Sequence, residues 1–440
     1  MSFTSLGYFP LLAAVAVVFR FLPERARNCF LLLVSWWIYL LYGWQHFMVL
    51  LCVTAFSYLA GRWITEIKNP HVKKWLMILS VSGMVGFLLC SKWAGLPLTN
   101  KRMIPVGISF YIFQALSYLI DVYHGENVEK NWERYALYLG FFPQVVAGPI
   151  EQAGKLIPQL SVANAKRDDI SAGISYILSG CVRKFVIADG MSRIVDPVYS
   201  DVYNQSGISL FLATIFFAIQ IYGDFSGYTH IAIGSARLFG IRLTENFERP
   251  YLAEGCRDFW KRWHITLTHW FTKYLYIPLG GNKKKYRNIM LVFLVSGLWH
   301  GMDLTFLCWG AYFGVWRIVE DLVNKKISFK GCLVVRRSIT FLLVCFSWVF
   351  FRSTTVAEAG EVFWRIFTMQ KGMVSGFGVL TLTGGVARIL LLASLPFIFR
   401  KQNDEKKRYY RNASLIILII VGMIFNFQHG GGSSFIYFQF

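Results

Sequence analysis

The segment from Cys256 to Gly301 decides the predicted fold; it reads CRDFWKRWHITLTHWFTKYLYIPLGGNKKKYRNIMLVFLVSGLWHG. Two cationic clusters flank its aromatic, apolar middle, and they consist of Arg257, Lys261 and Arg262 and of Lys283, Lys284, Lys285 and Arg287. A helix that begins near Asn288 would rise ~1.5 Å per residue and carry His300 ~18 Å inward. Because the hydrocarbon layer is ~30 Å thick, His300 would lie near its middle. An ionisable side chain at that depth indicates a functional site.

The composition predicts a membrane protein. Of the 440 residues, 55% are hydrophobic and 17% aromatic, and the mean hydropathy is +0.46. Only 16% are charged, compared with ~25% in soluble domains. The apolar runs are too long for barrel strands of ~9–11 residues, so we predict an all-α polytopic membrane protein. It would have roughly eleven to thirteen membrane segments, some of them re-entrant.

The net charge of +21 is explained by basic residues in short loops between the apolar runs. This pattern is typical of cytoplasmic loops, and it favours a membrane protein over one that binds nucleic acid. The N-terminus lacks a basic region and a small-residue cleavage site, so we expect the first helix to be retained. The eight cysteines are scattered and form no CxxC pair, which indicates small core residues.

We expect one integral membrane domain over residues 1–440. It would comprise N-terminal helices (1–134), a catalytic core (135–322) and C-terminal helices (323–440). Within 141–160, Pro143, Gly148 and Pro149 interrupt any single helix. Broken backbone at membrane depth must be buried in protein or line a cavity, so we predict short or re-entrant pieces here.

His300 is the first candidate for chemistry. It follows small residues in Ser-Gly-Leu-Trp-His-Gly, residues 296–301, which would let another chain or a ligand approach. One interpretation is a core histidine bonded to a neighbouring helix. The other is a general base, since neutral imidazole suits proton removal close to neutral pH. Removing the proton from a hydroxyl group would allow its oxygen to attack a thioester.

His264 is the second candidate, either as an interfacial residue of an aromatic and basic belt or as a polar group of the same cavity. His264, His269 and His300 lack a convincing fourth ligand, so we predict no metal site. The basic residues are either cytoplasmic anchors or a docking surface for an anionic acyl donor. Asp224 lies between apolar runs, so we expect it to be buried or paired with a cation. The residues expected to bind donor or line the cavity are Trp260, Lys261, Arg262, Trp263, Trp299, Ser296, Asp224 and Tyr276.

The motif DFWKRWHITLTHWFTKYLYIPLGGN, followed by SGLWHG, resembles the membrane-bound O-acyltransferase (MBOAT) family. Further motifs resemble its polysaccharide-acetylating branch, which includes the alginate O-acetyltransferase membrane subunit. These are VGISFYIFQALSYLIDVYHG (106–125), FFPQVVAGPIEQAGKLIPQL (141–160), YGDFSGYTHIAIG (222–234) and FIYFQF (435–440). The similarity therefore extends over nearly the whole chain.

The resemblance implies a helical bundle around a central cavity, in a bacterial plasma membrane. It implies transfer of an acyl group, here acetyl, from a cytoplasmic thioester to a hydroxyl group. His300 would be the catalytic residue and His264 the second functional residue. The donor would be acetyl-CoA or an acyl carrier protein, with no bound cofactor. The acceptor would be an exported polysaccharide, reached through an extracytoplasmic acetyltransferase-like or esterase-like partner protein.

Two other functions remain open from the sequence. A sister branch with a similar RWH segment transfers D-alanine from a carrier protein to lipoteichoic acid. A transporter or channel for a lipid-linked sugar or an anion would also place histidines along a path. Transporters are often built from two related halves with matched broken helices. Here the interruptions lie in 141–160 alone, which favours an acyltransferase.

Overall fold

The computed structural model of the chain describes residues 7–94, 104–146, 148–326, 332–374, 379–398 and 412–422. Within these ranges the secondary structure is helical, and the only β pairing consists of two isolated bridges, Gln205 with Met373 and Phe247 with Trp263. The terminal FIYFQF motif lies outside the described residues.

The first eight helices precede the central segment and are α1 (Tyr8–Phe21), α2 (Glu24–Leu40), α3 (Trp44–Glu66), α4 (Pro70–Ala94), α5 (Ile108–Tyr123), α6 (Trp132–Gly140), α7 (Ala153–Ser161) and α8 (Arg167–Cys181). The remaining helices are α9 (Asp189–Tyr199), α10 (Gly207–Arg237), α11 (Cys256–Arg262), α12 (Ile265–Phe271), α13 (Lys285–His300), α14 (Leu304–Lys326), α15 (Leu333–Arg352), α16 (Val356–Phe367), α17 (Val379–Ile398) and α18 (Asn412–Gly422). Two π-helical segments, Val182–Ala188 and Thr272–Tyr276, continue α8 and α12.

Among the described residues, five helical segments are long and apolar enough to cross a membrane, namely Trp44–Glu66, Pro70–Trp93, Arg167–Tyr199, Gly207–Arg237 and Leu333–Arg352. Four shorter apolar helices accompany them, namely Tyr8–Phe21, Ile108–Tyr123, Leu382–Pro396 and Asn412–Gly422. The prediction of an all-α polytopic membrane protein is therefore confirmed. The predicted total of roughly eleven to thirteen membrane segments stays a prediction.

The chain forms two compact units, and the first comprises residues 1–177 and 228–245. It contains the segment in which a broken helix was predicted, and the break is present: α6 ends at Gly140 and α7 begins at Ala153. In the intervening loop, a side chain provides a hydrogen-bond partner for a backbone group that has none within a helix. The buried Gln144 donates from Nε2 to Pro149 O at 2.9 Å. This is how non-helical backbone persists in a membrane domain, since each buried polar group needs a partner.

The second unit comprises residues 178–227 and 246–440. The glycine-rich stretch around Asp224 separates two apolar runs in the sequence, yet α10 continues through it as one helix. Asp224 pairs with a cation, as expected: its Oδ1 lies 2.8 Å from Nζ of Lys184, which also lies 2.8 Å from Asp189 Oδ1. All three side chains are buried. Both units draw on residues 135–322, and the division into three successive parts of one domain stays a prediction.

Candidate active site

His300 is the last residue of α13, which begins at Lys285, earlier than the predicted Asn288. The helix spans 16 residues, so His300 lies ~22 Å along the axis from its first residue. The small residues before His300 admit another helix. A Cβ atom on Gly297 would lie 2.3 Å from the carbonyl oxygen of Phe306 in α14. Only glycine permits this approach, and the close contact of α13 with α14 places His300 against α14.

Aromatic rings surround the His300 imidazole. Its ring centroid lies 4.8 Å from that of Trp299, 5.1 Å from Trp309 and 5.1 Å from Phe351, each in an edge-to-face arrangement. Only 5% of the residue is exposed. Edge-to-face contacts are the favoured geometry of aromatic pairs. Packing by α14 and α15, which carry Trp309 and Phe351, therefore fixes the orientation of the ring.

His264 lies in the connection between α11 and α12, outside the membrane-spanning helices. It adopts a left-handed backbone conformation (φ +44°, ψ +53°), which is uncommon for residues other than glycine. A short antiparallel pairing holds it there: Glu248 N donates to Arg262 O at 2.9 Å, and Ile265 N donates to Asn246 O at 3.0 Å. Such conformations persist when surrounding structure fixes them, and they cluster at functional sites.

The sequence analysis did not identify Asn246, which is the polar neighbour of His264. Its Oδ1 lies 3.3 Å from Nδ1 of His264 and accepts hydrogen bonds from Thr266 N at 3.1 Å and Thr266 Oγ1 at 2.9 Å. Rings cover the rest of the imidazole, with Phe225 at 4.8 Å and Trp299 at 6.0 Å between centroids. Burial lowers the pKa of His264, so its imidazole is neutral at neutral pH. Trp299 contacts both candidate histidines.

A cavity of about 1030 Å³ opens beside these residues. Four basic side chains and one carboxylate lie in its wall, and these are Arg257, Lys261, Lys285, Arg317 and Glu248. Its other polar lining residues are Thr268, His269, Thr272, Tyr276, Asn282 and Ser296. Its apolar lining residues are Trp260, Ile265, Leu267, Phe271, Ile289, Val292 and Phe293. The wall combines positive charge with aromatic surface, which suits a ligand that carries both phosphate and apolar groups.

Four of the predicted lining residues lie in this wall, namely Trp260, Lys261, Ser296 and Tyr276. The structure places the other four elsewhere. Arg262 is turned towards Asp258, with Nε 2.9 Å from Oδ1. Trp263 packs among rings, including Phe259 at 5.6 Å. Trp299 lies against the two histidines, and Asp224 is held by Lys184. Successive helical residues point ~100° apart, so neighbours in sequence cannot all face one cavity.

Carboxylates of α14 hold two of the four basic side chains of the cavity wall, those of Lys285 and Arg317. Lys285 Nζ lies 2.5 Å from Asp321 Oδ1. Arg317 Nη1 lies 3.5 Å from Glu320 Oε2 and 3.7 Å from Asp321 Oδ1. Sequence analysis missed Arg317, although an arginine inside the apolar part of α14 was an available signal. These pairs fix Lys285 and Arg317 at the wall and offset part of its positive charge.

The cavity wall does not include either candidate histidine. Ser296, in the wall, lies one helical turn before His300 on the same face of α13. A chain of ring contacts also joins the two: Trp260 lies 5.7 Å from Trp309, and Trp309 lies 5.1 Å from His300. Side chains in ring contact thus link the cavity wall to His300.

His269 lies in the cavity wall, which does not include the other two histidines considered as zinc ligands. Among the described residues, no group of three or more His, Cys, Asp or Glu side chains is arranged to hold a metal ion. All eight cysteines lie in described segments and are free thiols.

Comparison with known proteins identifies the family. The model of the MBOAT, membrane-bound O-acyltransferase family matches residues 131–357. The chain is 34% identical over 388 residues to the probable alginate O-acetylase AlgI of Pseudomonas fluorescens, covering 86% of this chain and 77% of that protein. It is 32% identical over 396 residues to the peptidoglycan O-acetyltransferase of Helicobacter pylori, covering 79% and 74%.

A more distant similarity is to the teichoic acid D-alanyltransferase of Bacillus subtilis, with 26% identity over 268 residues, covering 56% of this chain and 68% of that protein. The family match includes α6 to α15 and therefore contains both candidate histidines, Asn246 and the cavity wall. The described fold, the matched region and the relatives agree. The chain belongs to the membrane-bound O-acyltransferase family and is a multi-pass membrane O-acyltransferase.

Proposed function

We propose that this enzyme transfers an acetyl group from a cytoplasmic thioester to a hydroxyl group of an exported polysaccharide or of an extracytoplasmic partner protein. The observation that carries the proposal is the position of His300, one helical turn beyond Ser296 in the wall of a cation-lined cavity. Relatives named as acetylating enzymes match 79% and more of the chain, which supports acetyl as the acyl group. A bacterial plasma membrane is the proposed location.

In the proposed reaction His300 acts as general base. Its neutral imidazole takes the proton of the acceptor hydroxyl while the oxygen attacks the thioester carbonyl. The tetrahedral intermediate then expels the thiolate, which takes the proton back from the imidazolium. One C–O bond forms and one C–S bond breaks, so no redox partner is required. General-base catalysis of this kind contributes ~10²–10⁴-fold to the rate.

We propose acetyl-CoA as the donor, bound in the cavity. Its phosphates would contact Arg257, Lys261, Lys285 and Arg317, and its adenine would find an aromatic partner in Tyr276. A carrier protein would insert only a phosphopantetheine arm, whereas about 1030 Å³ lies at the upper end of the ~300–1,000 Å³ typical of small-molecule sites. Adenosine 3′,5′-bisphosphate should therefore inhibit transfer competitively against acetyl-CoA. Pantetheine should be a much weaker inhibitor.

Access from the cavity to His300 passes the rings of Trp260 and Trp309. We propose that the acetyl thioester displaces these rings when the donor binds. Catalytic groups often reach reacting distance only in the substrate complex. His264 would support the reaction as well, since the ring of Trp299 contacts His264 and His300.

The test is His300→Ala in the full-length chain, expressed with its partner proteins. Acetate on the exported polymer should fall by about 10³-fold, because a base removed from an acyl transfer costs roughly this much. Acetate is released by mild alkali and quantified, and the amount of enzyme in the membrane is measured in parallel.

A matched control is His124→Ala, since His124 is an exposed histidine at the end of α5. It should leave acetylation unchanged. Undiminished acetate with His300→Ala, at equal enzyme in the membrane, would reject His300 as the base. D-Alanine instead of acetate on the product would replace the proposed donor with the alternative indicated by the more distant relative.

A further inference from the structure

Asn246 is fully buried, and its side-chain oxygen Oδ1 is contacted by groups of His264 and Thr266. Three groups meet Oδ1: the backbone N–H of Thr266 at 3.1 Å, the hydroxyl of Thr266 at 2.9 Å and Nδ1 of His264 at 3.3 Å. A backbone N–H can only donate. The atom that faces it must therefore be the amide oxygen, and this settles the orientation of an amide that is otherwise ambiguous.

The orientation of the Asn246 amide favours one tautomer of the His264 imidazole. A neutral imidazole carries one proton, on either Nδ1 or Nε2. If Nδ1 were unprotonated, its lone pair would face the lone pairs of Asn246 Oδ1, and the two would repel. Placing the proton on Nδ1 turns the same contact into a hydrogen bond that His264 donates. The lone pair then resides on Nε2.

We propose that Asn246 is a positioning residue that holds His264 as the Nδ1–H tautomer, so that Nε2 serves the acyl transfer as an acceptor. His264 would accept a hydrogen bond from a bound substrate, while the proton of the hydroxyl nucleophile goes to His300, and it would not act as a donor to the thioester carbonyl. The kinetic part of this inference rests on the proposed function; the tautomer itself does not.

Burial, which lowers the pKa of His264, outweighs a hydrogen bond to its own backbone, which raises it. Phe225 from α10 and Trp299 from α13 cover the ring, and neither is charged. Next to these two rings in sequence stand the titratable groups Asp224, which is held by Lys184, and His300, which packs on Trp299. In α11 the charged groups are Arg257 and Lys261, which lie in the cavity wall, and Arg262, which is bound by Asp258. Glu248 and His269 of α12 also lie in the wall.

Asn246 can be substituted so that one property of its side chain changes at a time. The amide nitrogen of Asn246 has no hydrogen-bond partner among the described residues, so replacing it with oxygen removes no bond seen there. Asn246→Asp keeps all three contacts to Oδ1 and adds a negative charge beside Nδ1–H. Asn246→Leu keeps the branched shape of the side chain, with a larger volume, and removes the acceptor. The first variant tests the charge and the second tests the tautomer.

The kinetic experiment uses membrane vesicles that contain the full-length chain, with acetyl-CoA as the probe. Asn246→Leu should lower kcat by about 10²-fold with little change in KM for acetyl-CoA, since misdirected catalytic groups cost this much. Asn246→Asp should retain most of the activity. Its carboxylate stabilises the imidazolium, so the acid limb of the pH profile should move to higher pH, because His264 is inactive when protonated.

Thr266→Val is the matched control. It removes the hydroxyl bond to Asn246 Oδ1 and leaves the contact with His264, so kcat should change by less than about threefold. In a His264→Gln background, Asn246→Leu should cause no further loss of kcat, because it acts through His264. A purely structural role would instead give multiplied losses, together with a lower melting temperature.

The tautomer is read directly by ¹⁵N solid-state NMR of the protein labelled at its eight histidines, with the His264 signal assigned by its loss in His264→Gln. The wild type should show a protonated Nδ1 and an unprotonated Nε2, and Asn246→Leu should shift His264 towards the Nε2–H form. An Nε2–H signal in the wild type, or an unchanged pH profile in Asn246→Asp, would overturn the inference. If acetyl transfer itself fails, as tested with His300→Ala, the NMR result still stands alone.

Discussion

The two histidines of the site are held by different means. His264 is oriented by a hydrogen-bonding contact with Asn246, whose side-chain oxygen also binds Thr266, and by the rings of Phe225 and Trp299. His300 is fixed by rings from two neighbouring helices, through Trp309 and Phe351. A hydrogen bond orients a side chain but contributes little net free energy to folding. Aromatic packing orients a side chain and also stabilises the fold, because it buries a large apolar area. Substitutions around His300 should therefore unfold the protein, and substitutions around His264 should mainly slow it.

Gly297→Ala should have the largest effect of these changes. The added Cβ would lie 2.3 Å from Phe306 O, so α13 and α14 must separate, at a cost of more than about 3 kcal/mol in the free energy of unfolding. His300 would move with α13, and acetyl transfer should be lost as well. Thermal unfolding in detergent and acetate on the polymer measure the two effects.

Gly360→Ala is the matched control, because a Cβ on this α16 residue would meet nothing within 4 Å. In a helix alanine is preferred to glycine by roughly 0.5–1 kcal/mol, so this variant should be at least as stable as the wild type. Equal melting temperatures for the two variants would show that the α13–α14 contact does not position His300.

Trp309→Ala should come next. Trp309 is buried, and its removal leaves a cavity against His300. Loss of a large buried aromatic side chain costs about 3–5 kcal/mol. The exposed Trp364 of α16 is the control, and its change to alanine should cost less than about 1 kcal/mol. If Trp309→Ala is as stable as the wild type but inactive, Trp309 orients His300 without stabilising the fold, and the contrast with His264 fails.

Much of the fold was readable because it depends on local pattern. Long apolar runs predicted the helices, and Pro143 and Pro149 predicted the interruption between α6 and α7. The continuity of α10 could not be predicted from the sequence. Its glycine-rich stretch is typical of a break between helices. In the structure Asp224 of this stretch pairs with Lys184, which lies in the π-helical segment after α8. That partner is distant in sequence, so local pattern carries no sign of it.

The site divides in the same way. His264 and His300 stood out because polar residues inside apolar or aromatic segments are costly. Asn246 did not, since its role depends on pairing with a segment some eighteen residues later, and an asparagine in a loop has no distinctive pattern. Trp299 and Arg262 were expected to line the cavity, but the side-chain directions that decide this follow from how the helices pack.

The smallest expected effect concerns the cavity wall, where neither histidine is touched. Lys285→Gln removes one of the four basic side chains that line the cavity. We expect KM for acetyl-CoA to rise by about threefold to tenfold with kcat nearly unchanged, since one partly solvated charge contributes about 1 kcal/mol. The increase should shrink as ionic strength rises, because salt screens the attraction that the variant has lost. Initial rates at several acetyl-CoA and salt concentrations measure both.

Lys325→Gln separates binding from simple loss of charge. Lys325 also approaches Asp321, at 3.6 Å, but it does not line the cavity. Lys325→Gln removes the same charge beside the same carboxylate, Asp321, without removing a contact to the donor. KM for acetyl-CoA should therefore stay within about twofold of the wild type. An equal rise in KM for both variants would mean that the field of the basic surface attracts the donor and that Lys285 has no specific contact with it. A rise confined to Lys285→Gln would place the phosphates inside the cavity, on the side of α13 that leads through Ser296 to His300.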